Sequence, residues 1–256
     1  MAGLTPAAGP AALLLAAGHA TRLGPLRDRY AKACLPVAGT TPLAFALAWL
    51  ADAGVRECWI NLHHRGLQVR AEAERRAPTR LRLHFLEEAE LRGTGGTLLD
   101  LVAARGTLPE LVVNAKVFSD CDLRPLLADP PGTLLLHPPS DLRDFGGLRF
   151  DAAGILLGLR SRGAPAREAR AAAYTGACRP DPVWLPHLER AGARGVQPLC
   201  LVRNGLLPAL AAGALARARL HHGYWTEVST PERLATARVQ LAAGAGRHAD
   251  LRRTDA

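Results

Sequence analysis

The stretch that decides the fold is LAAGHATRLGPLRDRYAKACLPVAG, residues 15–39. An apolar run over residues 11–17 leads into it and predicts a buried first strand that ends at Gly18. Backbone amides of the glycine loop that follows can face a polyphosphate. Arg22 and Lys32 add positive charge, since a guanidinium grips phosphate oxygens in a fork and an ammonium acts as a compact point charge. The stretch therefore predicts a phosphate-binding loop after a first strand.

Short apolar runs alternate with helical patterns along much of the chain, which is typical of a parallel sheet with crossover helices. The predicted strands span residues 11–17, 55–62, 81–86, 111–114 and 133–137, and glycines between 146 and 163 indicate hairpins. Helices are predicted over 42–53, from the second strand through Arg76, and over 97–104, 182–191, 206–212 and 231–242. We predict an α/β fold with a Rossmann-like, mainly parallel mixed sheet flanked by helices. One domain is expected over 11–243, with a flexible N-terminus over 1–10 and a disordered tail over 244–256.

The composition limits the class of protein. The formal charge is +9 and the isoelectric point is near 10.1, but the arginines are dispersed and aromatic residues make up 5% of the chain. This pattern argues against nucleic acid as the partner. No apolar run reaches the roughly 20 residues that span a bilayer, so no membrane contact is expected. Five scattered cysteines form no CxxC pair, which favours reduced thiols and a cytoplasmic location.

Two common nucleotide-binding signatures do not occur in this chain. It has no GxxxxGK[ST] sequence, which excludes a P-loop. The run Gly18-His19-Ala20 is not GxGxxG, and no acidic residue ends the second predicted strand. The phosphate-binding loop is therefore of another kind.

Residues 15–39 resemble the signature LAAGxGxRLxPLTxxxPKxLLPVxG of the nucleotidyltransferases that make nucleoside-diphosphate sugars. Four positions depart from that pattern: Ala20, Arg27, Ala31 and Cys34. Later segments resemble the same family in the same order, namely NLHH (61–64), EEAELRGTGGT (87–97), YTG (174–176) and WTEVSTPERL (225–234). The resemblance is greatest to N-acetylmuramate-1-phosphate uridylyltransferases and to mannose- or heptose-1-phosphate guanylyltransferases. It implies a nucleotidyltransferase fold of the glycosyltransferase-A-like type.

The resemblance also implies an activity and a set of site residues. A sugar-phosphate oxygen would attack the α-phosphorus of a nucleoside triphosphate, and pyrophosphate would leave; these two substrates are the expected partners. Arg22 and Lys32 would hold phosphates, and Glu227 would be a ligand of the Mg²⁺ that the family uses as cofactor. The implied nucleotide-binding residues are Leu15, Ala16, Ala17, Gly18, Thr94, Gly95, Gly96 and Asn114, and the sugar-binding residues are Thr175 and Gly176. The resemblance indicates neither an oligomeric state nor a protein partner.

One position conflicts with that activity. The segment LVVNAKVFSDCD (111–122) resembles LVVNGDVWxDxD, whose first aspartate is a metal ligand in the family, and this aspartate is replaced here by Lys116. A divalent ion about 4 Å from an ammonium is repelled by roughly 8 kcal/mol at an effective dielectric constant of about 20. Ordinary magnesium binding is therefore incompatible with a charged Lys116 that points into the site.

The sequence leaves four interpretations of Lys116 open. It can act as a catalytic cation that replaces the metal and neutralises the α-phosphate. It can mark an inactive protein that still binds nucleotide or sugar phosphate and acts through a partner. It can be a substitution introduced to inactivate the site. Finally, its side chain can simply extend to solvent at the end of a strand.

Overall fold

The structure is a computed structural model that describes residues 9–138, 147–160 and 170–246. Among these residues the chain forms two compact units. Unit 1 holds residues 9–91, 112–124 and 223–246, and unit 2 holds residues 92–111, 125–138, 147–160 and 170–222. The prediction of a single domain over 11–243 stays a prediction. The predicted flexible N-terminus and disordered tail lie mostly outside the described residues.

The strands and helices are, in chain order, β1 (Ala11–Leu15), α1 (Pro42–Asp52), β2 (Glu57–Leu62), α2 (Gly66–Arg76), β3 (Arg82–Glu87), α3 (Gly93–Arg105), β4 (Leu111–Asn114), β5 (Val117–Ser119), α4 (Arg124–Ala128), β6 (Thr133–His137), β7 (Gly147–Phe150), β8 (Leu156–Arg160), β9 (Arg170–Cys178), α5 (Leu185–Ala193), α6 (Leu207–Ala211), β10 (Arg217–Leu220), β11 (Trp225–Glu227) and α7 (Pro231–Ala242).

Unit 1 is built on strands in the order β4-β1-β2-β3. β1 is parallel to β2, and β2 is parallel to β3. β2 is buried along its whole length, as expected for a strand with neighbours on both sides and cover on its faces. α1 begins where the Thr41 hydroxyl accepts a hydrogen bond from the Ala44 amide, with Pro42 in its first turn. Because β1 and β2 are parallel, the loops that follow these two strands leave the sheet at the same edge.

A second, two-stranded sheet in unit 1 consists of β5 and β11, which pair antiparallel with Glu227 opposite Val117. α7 follows β11 after a short turn, and its first turn is capped by the Thr230 hydroxyl, which accepts from the Arg233 amide. Neither strand was predicted from the sequence. Each has only three residues, too few for an alternating pattern to be visible.

Unit 2 contains strands in the order β10-β6-β9, with β10 parallel and β9 antiparallel to β6. β7 and β8 form an antiparallel hairpin, and β7 also pairs with β9. The hairpin predicted from the glycines is therefore present at 147–160, while Gly146 and Gly163 lie outside the described residues. α3 begins at Gly93, four residues before the predicted start.

The fold class predicted from the sequence is confirmed: the protein is an α/β protein with a mixed, mostly parallel sheet flanked by helices. In the part of the chain that the structure describes, no helix combines the length and the apolar character needed to cross a bilayer.

Candidate functional site

The loop after β1 is held by buried protein groups before it opens to solvent. The Leu15 carbonyl accepts from the Ala115 amide at 3.0 Å. The amides of Ala16 and Ala17 both donate to Asn61 Oδ1, at 2.6 and 3.2 Å. These two amides are therefore used inside the protein, and exposed loop backbone begins at Gly18.

A buried carboxylate fixes the orientation of Asn61. Asn61 Nδ2 donates to Glu88 Oε1 at 2.9 Å, and the Glu88 amide donates to the Leu62 carbonyl at 2.8 Å. Asn61 is 3% exposed and Glu88 is 8% exposed. The side chains of Asn61 and Glu88, which we call the loop brace, link the carboxyl ends of β1, β2 and β3. The positions of the oxygen and nitrogen in the Asn61 side-chain amide follow from these contacts, because only the oxygen can accept hydrogen bonds from two backbone amides.

Gly18 and Ala20 differ in what the backbone requires of them. A Cβ added to Gly18 would meet no heavy atom within 4 Å, so the fold itself tolerates a side chain there. Ala20 has φ 55° and ψ 26°, a left-handed conformation that costs a non-glycine residue about 1 kcal/mol. The family signature has glycine at this position. If Gly18 is needed as glycine, the reason is close approach of a ligand.

Lys32 lies in a cationic environment within unit 1. It begins a short 3₁₀ turn, Lys32–Cys34, and its side chain is half-buried. Burial, followed by the charges of Lys116 and Arg22, lowers the pKa of Lys32 to about 8, while the charge of Glu227 opposes the shift. Lys32 thus lies within electrostatic reach of the other two predicted catalytic cations and of the predicted metal ligand.

Lys116 and Glu227 form a direct ion pair. Lys116 Nζ lies 2.6 Å from Glu227 Oε2, with side-chain exposures of 29% and 10%. The pairing of β5 with β11 sets this geometry, and the Val228 amide donates to the Lys116 carbonyl at 2.9 Å. Lys116 therefore does not extend freely into solvent, which rules against the last of the four interpretations.

The second carboxylate oxygen of Glu227 is also occupied. Ser229 Oγ donates to Glu227 Oε1 at 2.7 Å, and the Arg233 guanidinium donates to the same oxygen. Arg233 also donates to Ser229 Oγ at 3.1 Å. Burial alone would raise the pKa of Glu227, but Lys116, Ser229 and Arg233 outweigh it and lower that pKa to about 2. Ser229 and Arg233 both lie in the 225–234 segment quoted above, but the sequence pattern of that segment did not predict their contacts with Glu227.

This arrangement does not fit a magnesium ion. Mg²⁺ is bound through free carboxylate oxygens in near-octahedral geometry, whereas both oxygens of Glu227 receive hydrogen bonds from protein donors. Asp122, farther along the same segment, is held by Arg124 at 2.6 Å. Among the described residues, no group of three or more His, Cys, Asp or Glu side chains is placed to hold a metal. Glu227 is thus a partner of two cations in this structure.

The predicted nucleotide-binding residues of unit 2 pack against their own unit. The Thr94 hydroxyl accepts from the Leu201 amide at 2.8 Å, and the Gly95 amide donates to the Leu199 carbonyl at 2.9 Å. A Cβ on Gly95 would lie 2.5 Å from Leu188 Cδ2, and Gly96 is buried as well. Packing alone therefore explains a glycine at position 95. The assignment of these residues to the nucleotide stays a prediction.

The remaining predicted residues lie at strand positions. Asn114 is the last residue of β4 and is partly exposed, and it belongs to unit 1. Thr175 and Gly176 lie in β9 of unit 2. The Thr175 hydroxyl is buried and donates to the Leu135 carbonyl at 2.8 Å, and Gly176 has φ +92°. Their roles toward nucleotide and sugar stay predictions.

Comparison with known sequences agrees with these features. Residues 12–123 match the family model of the MobA-like NTP transferase domain. Mannose-1-phosphate guanylyltransferase of Mycobacterium tuberculosis (strain ATCC 25618 / H37Rv) is 30% identical over 147 residues, which cover 55% of this chain and 40% of that protein. The catalytic subunit beta of mannose-1-phosphate guanylyltransferase from Drosophila melanogaster is 28% identical over 156 residues, covering 58% and 42%. The chain thus spans about two fifths of the length of these relatives.

Solved structures show the same fold. HddC from Yersinia pseudotuberculosis aligns with a TM-score of 0.71 at 17% identity, covering 91% of this chain and 99% of that one. The same protein complexed with GMP-PN aligns with a TM-score of 0.67. CTP:phosphocholine cytidylyltransferase (LicC) from Streptococcus pneumoniae aligns with a TM-score of 0.71 at 15% identity, with the same coverage. The predicted resemblance to sugar-1-phosphate nucleotidyltransferases is confirmed.

Proposed function

We propose, from the premise that residues 12–123 form a MobA-like NTP transferase domain, that this protein transfers a nucleoside monophosphate from a triphosphate to a sugar 1-phosphate and releases pyrophosphate. Names of the relatives and structural neighbours support this class of substrates. The observation that carries the proposal is that Lys32 lies within electrostatic reach of Lys116 and of Arg22, which follows the exposed Gly18 in the chain.

In this proposal the protein contributes alignment and charge. Phosphoryl transfer of this kind needs little covalent chemistry from the enzyme, since catalysis comes from positioning and from neutralising the phosphate oxygens. Arg22 and Lys32 would bind the triphosphate. A phosphate beside Lys32 would replace its lost hydration with an opposite charge and so raise its pKa from about 8, keeping the ammonium charged during the reaction.

Lys116 takes the position of a metal-binding aspartate in this proposal. Lys116 and Arg233 together carry one more charge than Glu227 neutralises, so their network retains a net positive charge. Fixed cations of this kind can stabilise negative charge that develops on a phosphate. We therefore propose that a resident ammonium replaces the protein-bound divalent ion at this place. A cytoplasmic location is consistent with five cysteines that form no disulfide bond with one another, namely Cys34, Cys58, Cys121, Cys178 and Cys200.

A second candidate function rests on the same ion pair. Because Lys116 Nζ is bound to Glu227, much of its charge is already compensated before a substrate arrives. A protein with that site would bind nucleotide or sugar phosphate without turnover and act through a partner. Binding without catalysis distinguishes this alternative from the transferase.

The test is pyrophosphate release over a panel of nucleoside triphosphates and sugar 1-phosphates, together with the thermal midpoint of unfolding in each triphosphate alone. The transferase proposal expects release with at least one pair of substrates and loss of release in Lys32→Ala. Thermal stabilisation by a triphosphate without release from any pair would instead support the binding protein. If Lys116→Asp gained release that the wild type lacks, the active-site role of Lys116 would be refuted.

A further inference from the structure

Three histidines in unit 1 meet where β1 and β2 end. His19 directly follows Gly18 in the loop after β1, and His63 and His64 directly follow β2. The His19 ring centroid lies 4.9 Å from that of His63, in an edge-on arrangement, and 6.1 Å from that of His64. We call these residues the histidine cluster. None of them has a role in the transfer described above.

Backbone carbonyls fix the tautomers of two of these rings. His63 Nδ1 lies 2.9 Å from the Glu88 carbonyl oxygen, and His64 Nε2 lies 3.1 Å from the Arg27 carbonyl oxygen. A carbonyl oxygen can only accept, so each of these ring nitrogens carries a hydrogen. Any further proton must bind at His63 Nε2 and His64 Nδ1. Protonation would turn both atoms from acceptors into donors.

The surroundings of His19 oppose its protonation. Partial burial, the two neighbouring histidines and Arg27 all lower the pKa of His19. The Glu88 carboxylate is engaged by Asn61, and the Arg65 guanidinium donates to the Asp28 carbonyl at 2.8 Å. These neighbours disfavour a positive charge on His19, and a bound anion would favour that charge.

Anchoring of imidazoles by backbone carbonyls is also typical of transition-metal ligands. However, among the described residues these rings form no group that is placed to hold a metal. The adjacent guanidinium of Arg27 and the adjacent phosphate-binding loop both favour a ligand of negative charge. The arrangement thus indicates an anion.

We propose that His19, His63 and His64 form a proton-linked anion site that binds a phosphate group together with at least one proton. The site stands by itself as an anion site; that the anion is the leaving pyrophosphate or the sugar 1-phosphate rests on the proposed function. Each proton taken up on binding makes the affinity rise about tenfold per unit of pH decrease, over the range where the free cluster is neutral and the bound cluster is protonated.

The experiment is titration calorimetry of the whole chain with inorganic pyrophosphate and, separately, with mannose 1-phosphate, at about pH 6 and about pH 8 in buffers of different ionisation enthalpy. The variants are His19→Asn and His64→Gln, and the matched control is His187→Asn, a histidine on α5 of unit 2 that contacts Arg190. Comparison with the variants cancels protonation of the ligand itself. Two variants keep the test valid if one of them unfolds.

The inference expects the wild type and the control to take up a proton when they bind one of the two ligands. For that ligand, the increase in affinity from about pH 8 to about pH 6 should be at least about tenfold larger in the wild type and the control than in His19→Asn or His64→Gln. The ligand that shows this difference identifies the source of the anion. Equal pH dependence in wild type and variants for both ligands would overturn the inference. The inference would also be overturned if Zn²⁺ stabilised the wild type and stabilised neither of the two variants. Because turnover is not measured, failure of the proposed transferase reaction leaves this result independent.

Discussion

Lys116 Nζ lies 2.6 Å from Glu227 Oε2, at a place where the resembling family has two carboxylates. The sequence predicts that Lys116 would repel a metal ion at this place, and in the structure Lys116 forms an ion pair with Glu227. The antiparallel pairing of β5 with β11 supports it, and Ser229 and Arg233 occupy the other oxygen of Glu227. The network is thus complete without a divalent ion.

Removing the charge of Glu227 should destabilise the fold. Glu227→Gln would leave Lys116 and Arg233 close together without a compensating carboxylate, and loss of one partner from a largely buried pair costs about 3 kcal/mol. The free energy of unfolding in urea measures this change. Glu189→Gln, at an exposed position of α5, is the matched control and should leave the urea midpoint unchanged. A Glu227→Gln variant as stable as that control would contradict the account.

The same carboxylate should make stability depend on acid. The pKa of Glu227 is lowered from 4.5 to about 2 in the folded protein, so its stabilising contribution is fully present above the unfolded pKa. It is lost as the pH falls from about 4.5 through about 2, because only the charged form is favoured by folding. Unfolding free energies of wild type and Glu227→Gln should converge over this range. A constant difference between them would show that Glu227 is not held as a carboxylate.

Lys32 should make triphosphate binding sensitive to alkaline pH. Its pKa in the free protein is lowered to about 8, and phosphate binding favours the charged form. Affinity is therefore at its maximum below about pH 8 and falls about tenfold per pH unit above it, until the pKa of the complex is reached. Fluorescence titration with a labelled triphosphate measures this effect. Lys32→Arg keeps its charge and should bind without the fall; the same fall in that variant would assign the proton to another group.

The loop brace should control the loop after β1. Asn61→Leu removes the acceptor of two buried amides and the donor to a buried carboxylate, which costs about 2–4 kcal/mol of stability. Glu88→Gln is the milder variant, because its side-chain oxygen can still accept from Asn61 Nδ2. We expect Asn61→Leu to weaken triphosphate binding strongly and Glu88→Gln to weaken it only slightly. Unchanged binding in a folded Asn61→Leu variant would separate the brace from the binding loop.

Much of the fold was predictable because its signals are local. α7 begins at a proline after a capping threonine, and its bounds match the predicted 231–242; β6 likewise matches 133–137. α3 begins earlier than predicted because Gly93 and Gly95 pack against the 198–201 segment, a contact distant in sequence. The short strands β5 and β11 lack a readable period, yet they place Glu227 beside Lys116.

The site was predictable only in part, because its contacts join residues that are distant in sequence. The long signature predicts Arg22 and Lys32 as phosphate-binding residues, which stays a prediction, and the segment around Asn114 shows Lys116 as the departure from the family pattern. The partner of Lys116 depends on tertiary pairing, and so do the loop brace and the histidine cluster. No local sequence pattern predicts that the amides of Ala16 and Ala17 donate hydrogen bonds to Asn61 Oδ1.

The most direct test of the central claim measures pyrophosphate release by the wild type and by Lys116→Asp, each with excess EDTA and with Mg²⁺. If Lys116 replaces a protein-bound metal ion, wild-type release persists in EDTA within about tenfold of its rate in Mg²⁺. Lys116→Asp, whose new carboxylate would face Glu227, should by contrast depend on Mg²⁺. Wild-type release that EDTA abolishes and Mg²⁺ restores would contradict the claim.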